Sequence, residues 1–508
     1  MLPVDRRHPD ELRSMVSWLA SRPRPLLLAF VGLTAGFMVG ALGVFNLRYG
    51  LVLIVAVAVV IVALLWPAVG GLILVGLVPA VSGFRPGFPI PNTRLSEALI
   101  GLICITLLVF TRRRDALRWG VLDWLLLAYG MAWALFGLVN AGGLGQHLTL
   151  SDWGTVFGQL QFFLLYRSLR LVLRTKAERR RALGVLFGAS AVVALFAVVQ
   201  QVNLPGVRPL LNSITGGTPR GTTNELLRRA TGPFDNWAAL AGYLLPVLVV
   251  VCALGLAGEA RRQRKAFIAL AACAAVGLAL TADLSAIICF TAGVIALGVQ
   301  YGHSRRMLRW LVIGLAVGAV VVGPFIAQRL SGEFAHTAGS SRNSFVPQTI
   351  GYRWEIWTTQ YFPAIEARPF VGYGAILPDT VAWPYPESQY IAYLMEGGGL
   401  LLLIFGYLTW AMIRHARIAV RSPDPFDQAI GRSLVVLVVA LVVMDAIWPF
   451  LSNGGMPQIL WCLFALAVPG IPVYEARERW GIPERLAMGV PGGGEASQSQ
   501  GCAGHRVP

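Results

Sequence analysis

The sequence predicts an all-α fold: a polytopic transmembrane helical bundle of about 12–14 spans with a large extracytoplasmic loop. Three observations predict it. Of 508 residues, 56% are hydrophobic and only 13% charged, where a soluble domain carries roughly a quarter charged residues. Apolar runs close to the length that crosses a hydrocarbon core of about 30 Å recur from Leu26 to Tyr474. These runs are continuous rather than alternating, which excludes an outer-membrane β-barrel.

The spans fall near 26–45, 50–66, 67–82, 96–110, 121–139, 153–171, 182–201, 237–257, 266–281, 284–301, 310–328, 388–413, 433–451 and 457–474. The second and third run together through Trp66-Pro67, and the sixth carries Gln159, Gln161 and Arg167. Residues 1–474 read as one transmembrane domain with long outer loops at about 202–236 and 329–387. Residues 475–508 read as a cytoplasmic tail whose Gly-, Ser- and Gln-rich last part is disordered. The first apolar run is long and lacks a small-residue cleavage site, so it reads as a retained anchor.

Basic residues orient the chain. Placing the N-terminus in the cytoplasm gives the inside segments 30 Lys or Arg, against three in the five short outer loops. The orientation rule counts short loops, so both termini are expected in the cytoplasm. The same distribution accounts for the net charge of +17 without any nucleic-acid partner. Of the six cysteines, five lie inside apolar runs and none forms a CxxC pair, which suggests neither a disulfide framework nor a zinc site.

The two long outer loops hold eight of the eleven outer arginines. The first contains Arg220 and ends Arg228-Arg229-Ala-Thr-Gly232-Pro-Phe234-Asp235-Asn236-Trp237. Guanidinium groups bind phosphate oxygens bidentately, and Asn236 can cap the next helix, whose positive end faces the same compartment. Headgroup snorkelling plus an ordinary cap explains this segment equally well.

The second loop carries Tyr352-Arg353-Trp354-Glu355-Ile356-Trp357-Thr-Thr-Gln360-Tyr361. Its pattern reads as a short aromatic helix at the membrane surface, either a site element or a structural anchor. Arg368-Pro-Phe-Val-Gly372-Tyr-Gly374 follows, a turn-rich stretch able to approach another backbone or a ligand closely. Glu387-Ser388-Gln389-Tyr390 then opens a span. A carboxylate there is favoured by the helix dipole, and it also suits a base acting on a hydroxyl. Glu396 lies two to three turns deeper, where ionisable groups are costly, and Asp283 and Asp445 sit near span ends. No phosphate-loop, GxSxG, HExxH or dinucleotide fingerprint occurs, and metal chemistry has little support.

In this order, Arg229-x-x-Gly232-x-Phe234-x-Asn236, Thr281-Ala-Asp283-Leu-Ser285, Arg353-x-x-Ile356-Trp357, Arg368-Pro369-Phe370-x-Gly372-x-Gly374 and Glu387-Ser388-Gln389-Tyr390 with Gly398 resemble the bacterial O-antigen ligase and O-antigen polymerase superfamily. The resemblance runs from about residue 220 to 405. It implies a metal-independent, inverting-type glycosyltransferase of the cytoplasmic membrane, without a cofactor. Such an enzyme moves a glycan from an undecaprenyl-diphosphate carrier to a glycan or lipid-glycan acceptor on the outer face.

The resemblance implies site residues as well. Arg229 and Arg353 match outer arginines that hold the donor diphosphate, with Arg228, Arg220, Asn236, Gln389 and Tyr390 as further donor or sugar contacts. Glu387 stands as catalytic residue beside Arg353, at a position where ligases typically have His. That departure tilts the reading toward a polymerase or an uncommon ligase. A second departure is the absence of an arginine near Ser285, where the family often has a Ser-Arg-Gly turn. The alternative from another class is a transporter or flippase for an anionic lipid or solute, since many spans, buried acids and outer arginines also serve transport.

Overall fold

The computed structural model describes residues 47–87, 93–110, 119–145, 147–216, 229–259, 264–302 and 348–467, with Gly323, Ala327 and Ser331. The expected span at 26–45, all but two residues of that at 310–328, the tail from 475, Arg220 and Arg228 lie outside the described residues. Among the described residues there is no strand.

The helices are α1 (Leu47–Leu65), α2 (Pro67–Val81), α3 (Leu95–Phe110), α4 (Val121–Gly143), α5 (Leu150–Gly158), α6 (Leu160–Val172), α7 (Lys176–Val202), α8 (Val207–Thr215), α9 (Trp237–Leu256), α10 (Arg264–Leu280) and α11 (Leu284–Gln300). Within the second long loop lie α12 (Gln348–Ile356), a π-helical turn (Trp357–Tyr361) and α13 (Phe362–Ala367), and after it come α14 (Gln389–Val420), α15 (Pro425–Met444) and α16 (Met456–Ala467). Five of these, α4, α7, α9, α14 and α15, are long and apolar enough to cross a membrane, and shorter apolar helices pack among them. The chain is an all-α polytopic helical membrane protein.

Helix α9 is the axis of the bundle. It has little amphipathic character, 83% of its apolar window is buried, and α10, α11, α15 and α16 pack around it. A helix apolar all round and buried all round belongs at the centre of its bundle. Outer helices instead present single apolar faces outward, as at Leu135, Val192, Ile288, Val299 and Val443, all more than half exposed. The run through Trp66-Pro67 is two helices, with Pro67 starting α2 where its missing N–H costs no bond.

The expected sixth span is broken into α5 and α6 at Gln159. Its Arg167 turns inward, 2.9 Å from Asp123, and Arg170 reaches the same carboxylate at 2.9 Å. This knot belongs to one charged pole. There Lys176 meets Asp424 at 2.7 Å, Arg179 meets Asp427 and the Leu466 carbonyl, and Arg180 meets Glu259. Apart from the Leu466 carbonyl, these partners come from, or border, segments that the arginine count placed on one side.

The other pole gathers the opposite set. Gln200, ending α7, accepts from the Thr231 and Gly232 N–H groups at 2.9 and 2.8 Å. The Ala230 N–H reaches the Leu280 carbonyl, Asn236 contacts Asn453, and Gln389 N–H reaches the Asp445 carbonyl.

At this pole α14 breaks. Gly398 has φ 62° and ψ −160°, outside helical space. The strap from Arg368 to Gly374 dovetails into the gap. Tyr373 and Gly374 N–H groups donate to the Met395 and Glu396 carbonyls at 2.6 and 2.9 Å, while Gly399 and Leu400 N–H groups donate to Pro369 and Phe370 carbonyls at 2.7 and 3.3 Å. The Asn140 amide of α4 adds a bond to the Val371 carbonyl at 2.9 Å. The turn-rich stretch thus approaches backbone, and a β-carbon at Gly398 would fall on the Phe370 carbonyl group. Gly398→Ala is therefore expected to destabilise the protein by about 1–3 kcal/mol from the dihedral alone, with the clash added. A lowered unfolding temperature in detergent checks this.

Candidate functional site

The long loop between α11 and α14 reaches the site through a π-helical turn. Residues 348–367 form one continuous rod, but Trp357–Tyr361 hold one extra residue in the turn. Such bulges frequently occur at functional sites because they re-aim side chains. Here three are aimed at one neighbouring strap. Trp357 Nε1 donates to the Pro386 carbonyl at 2.7 Å, Gln360 Oε1 accepts from the Trp383 N–H at 3.0 Å, and Tyr361 Oη donates to the Trp383 carbonyl at 2.7 Å. Residues 383–386 are Trp-Pro-Tyr-Pro, and each proline biases its predecessor toward extended backbone.

Glu387 closes that strap. It does not lie in the first turn of the next helix, as the sequence led us to expect, but just before the N-cap Ser388 of α14. Its φ is 55°, a left-handed conformation that a β-carbon disfavours and that persists only where surroundings enforce it. Both Nε and Nη2 of Arg353 donate to one Glu387 oxygen, at 3.3 and 3.1 Å. The two side chains keep 18% and 13% of their surface exposed, so the pair is mostly shielded yet reachable. Burial raises the Glu387 carboxyl above its ordinary value, and the Arg353 charge opposes that rise.

A second carboxylate joins them. Asp283 caps α11, accepting from the Ala286 N–H at 3.2 Å and from Ser285 Oγ at 2.5 Å. Burial raises it too, with Ser285, backbone N–H groups and the charge of Arg353 pulling the other way. Arg353 thus lies within the fields of two acids. The turn before Asp283 holds Ala282 at φ 49°, and its Leu280 carbonyl receives the Ala230 N–H at 3.0 Å. This bond brings Arg229 to the same turn. Its guanidinium stacks 4.3 Å over the Trp237 ring, a cation–π contact that fixes the charge.

The remaining expected site residues do structural work. Asn236 caps α9 through the Ala239 N–H at 2.8 Å and bridges to Asn453 at 3.1 Å. Gln389 is 1% exposed and exchanges hydrogen bonds with Ser452 at 3.0 and 3.1 Å. Tyr390 Oη donates to the Val442 carbonyl at 2.6 Å. Together with Ser388 and the Asp445 carbonyl they hold the head of α14 against the end of α15.

What sequence reasoning missed is the aromatic strap at Trp383 and Tyr385 and the nearness of Asp283 to Arg353. The Trp-Pro-Tyr-Pro pattern was the available signal for the first. Among the described residues no group of three or more His, Cys, Asp or Glu side chains is placed to hold a metal ion.

Fold and site together define a membrane-embedded helical protein with a guanidinium–carboxylate pair built where the long loop between α11 and α14 meets the head of α14. Residues 269–406 match the O-antigen ligase family model, which supports the resemblance to the O-antigen ligase and polymerase superfamily over that part of the chain. The match holds Asp283, Arg353, Glu387, Gln389 and Tyr390 and ends just past the α14 break. Arg229 and Asn236 precede it, so the resemblance read from about residue 220 is matched over its later part. No curated protein matches this chain.

Trp357→Phe removes the donor to Pro386 and is expected to loosen the strap by about 1 kcal/mol. Faster proteolytic cleavage within residues 378–387, with the bundle fragments unchanged, checks this.

Proposed function

We propose that this protein transfers or polymerises glycan from an undecaprenyl-diphosphate-linked donor at the outer face of the cytoplasmic membrane. The observation that carries the reading is the Arg353–Glu387 pair, held by a strained, pinned strap within the segment that matches the O-antigen ligase family. That family match favours transfer over transport.

The acceptor hydroxyl oxygen attacks the anomeric carbon of the donor sugar. The new C–O bond forms as the bond from that carbon to the diphosphate oxygen breaks, and the attack on the opposite face inverts the centre. Glu387 takes the hydroxyl proton, and the lipid diphosphate leaves with its bonding electron pair. Arg353 and Arg229 stabilise the charge that develops on it, an electrostatic role requiring no metal ion. Arg228 and Arg220 supply further cationic reach to the diphosphate from the same loop. Asn236, Gln389 and Tyr390 serve as supporting residues that fix helix heads around the sugars.

Glu387 is well chosen as a base because burial lifts its affinity for a proton toward the working pH, while Arg353 keeps it ionised at rest. When the diphosphate engages Arg353, the carboxylate loses part of its partner and becomes more basic. The pole carrying Arg179, Arg180 and Arg167 faces the cytoplasm in this reading, with both termini on that side and residues 1–474 forming one membrane domain.

Arg353→Ala, Arg229→Ala and Glu387→Gln are each expected to reduce surface glycan at least 100-fold at normal protein levels, the scale of a lost general base or oxyanion contact. Wild-type glycan from all three would remove the assignment. A base must be ionised to act, and the Glu387 carboxyl is raised. Activity should therefore fall on acidification at a pH above the ordinary carboxylate range, and recover as pH rises. Initial rates in membranes across pH check this, and Glu387→Gln should abolish the acid limb together with the activity.

A further inference from the structure

We propose that Tyr352, Trp383 and Tyr385 form a stacking platform for the terminal pyranose ring of the acceptor glycan, beside Glu387. The inference rests on the transferase reading above and adds the subsite that presents the hydroxyl.

The three rings make one chain. Trp383 meets Tyr352 at 5.7 Å with planes at 88°, and Tyr385 at 6.0 Å with planes at 72°. They touch by edges rather than stacking face on face. Each residue stays well exposed, at 41% for Tyr352, 38% for Trp383 and 41% for Tyr385. Large apolar rings left open beside a charged pair need a physical reason. A pyranose supplies one, because one of its faces is a patch of C–H bonds that packs on the electron-rich face of an aromatic ring, while its hydroxyls stay at the rim.

Position makes the rim hydroxyls useful. Tyr352 precedes Arg353 in the chain, Tyr385 lies two residues before Glu387, and the Glu387 charge reaches the Tyr352 phenol. A sugar seated on these rings therefore has its edge toward the carboxylate and guanidinium. The acceptor is the partner chosen, since Glu387 is the group that must meet the attacking hydroxyl.

The platform is also rigid. Trp383 has both backbone polar groups held by side chains of the π-turn, Gln360 at 3.0 Å and Tyr361 at 2.7 Å, and Trp357 holds the next carbonyl but two. An aromatic anchor in a lipid interface gains nothing from such fixation, whereas a stacking site does, because ordering the ring in advance removes that cost from binding. Trp354 provides the contrast. It is 57% exposed and packs edge-on against Phe362 at 6.3 Å, on a face that these bonds do not constrain.

The test uses the full chain in lipid nanodiscs and saturation-transfer NMR. The probes are methyl glycosides of glucose, galactose, mannose, rhamnose, glucuronic acid and N-acetylglucosamine. At least one should receive saturation at its ring C–H protons. Trp383→Ala should weaken that binding about tenfold, the scale of one lost stacking contact, while Trp383→Phe and Trp354→Ala retain it. In cells, Trp383→Ala should raise the acceptor concentration needed for half-maximal glycan formation and leave the maximal rate within about twofold.

The platform is overturned if no glycoside receives saturation, if Trp383→Ala binds like wild type, or if Trp354→Ala loses binding equally, which would mark a lipid-anchoring surface. The two levels separate cleanly. Should Glu387→Gln and Arg353→Ala abolish glycan while Trp383→Ala binds and produces normally, the platform alone fails. Should those two variants leave glycan unchanged, the transferase reading fails.

Discussion

Inside a bilayer every backbone N–H and C=O must find a partner within the protein, because no water is there to replace one. The interrupted helix α14 is where that constraint bears hardest. Its turn at Gly397–Gly399 releases carbonyls at Met395 and Glu396 and amides at Gly399 and Leu400, and the strap from Pro369 to Gly374 satisfies all four. The long loop is thereby built into the bundle as part of a helix's own hydrogen-bond ladder. Only glycine serves at the crossing, since Gly372 and Gly398 both have positive φ and both lie where a side chain would meet backbone. The geometry of everything attached to that loop inherits the rigidity of the joint.

The site uses this rigidity from two directions. From one side the rod containing α12 and the π-turn carries Arg353 and three strap-holding side chains. From the other the head of α14, tied through Ser388 and Gln389 to Asp445 and Ser452, fixes where Glu387 emerges. Glu387 is squeezed between two anchored elements, which explains how a non-glycine residue is kept at φ 55°. Strain of this kind survives where the neighbourhood over-determines it. The bond from Ala230 to Leu280 adds a third anchored element, bringing Arg229 and its Trp237 stack to the turn that carries Asp283.

Much of this was legible in the sequence, and the divisions between what was and was not are physical. Apolar runs and caps gave most helices to within a few residues, as Asn236 did for α9 and Trp66-Pro67 for the α1–α2 junction. The Arg368–Gly374 stretch announced a close backbone approach because glycine content reports on sterics directly. The break at Gln159 was less legible, because a polar residue in an apolar run marks weakness without saying whether the helix stops. The π-turn was invisible: it depends on one extra residue within a helical pattern, decided by tertiary bonds from Trp357, Gln360 and Tyr361 rather than by local propensity. Pairings such as Arg353 with Glu387, 34 residues apart, follow from how the strap returns, which no periodicity encodes.

Arg353 holds two roles that compete, and the competition is informative. At rest its fork is committed to Glu387, and the transferase reading needs the same charge for phosphate. A diphosphate brings more negative charge than either carboxylate and binds the planar fork bidentately. On the transferase reading it therefore displaces Glu387 rather than adding to it. The displaced carboxylate, still shielded and now without its nearest cation, is left basic next to the aromatic strap where an acceptor hydroxyl is offered. On that reading donor binding and base activation are one event, with the base held quiet by its own arginine until a leaving group is in place. A site with a neutral side chain at position 387 would lack that coupling.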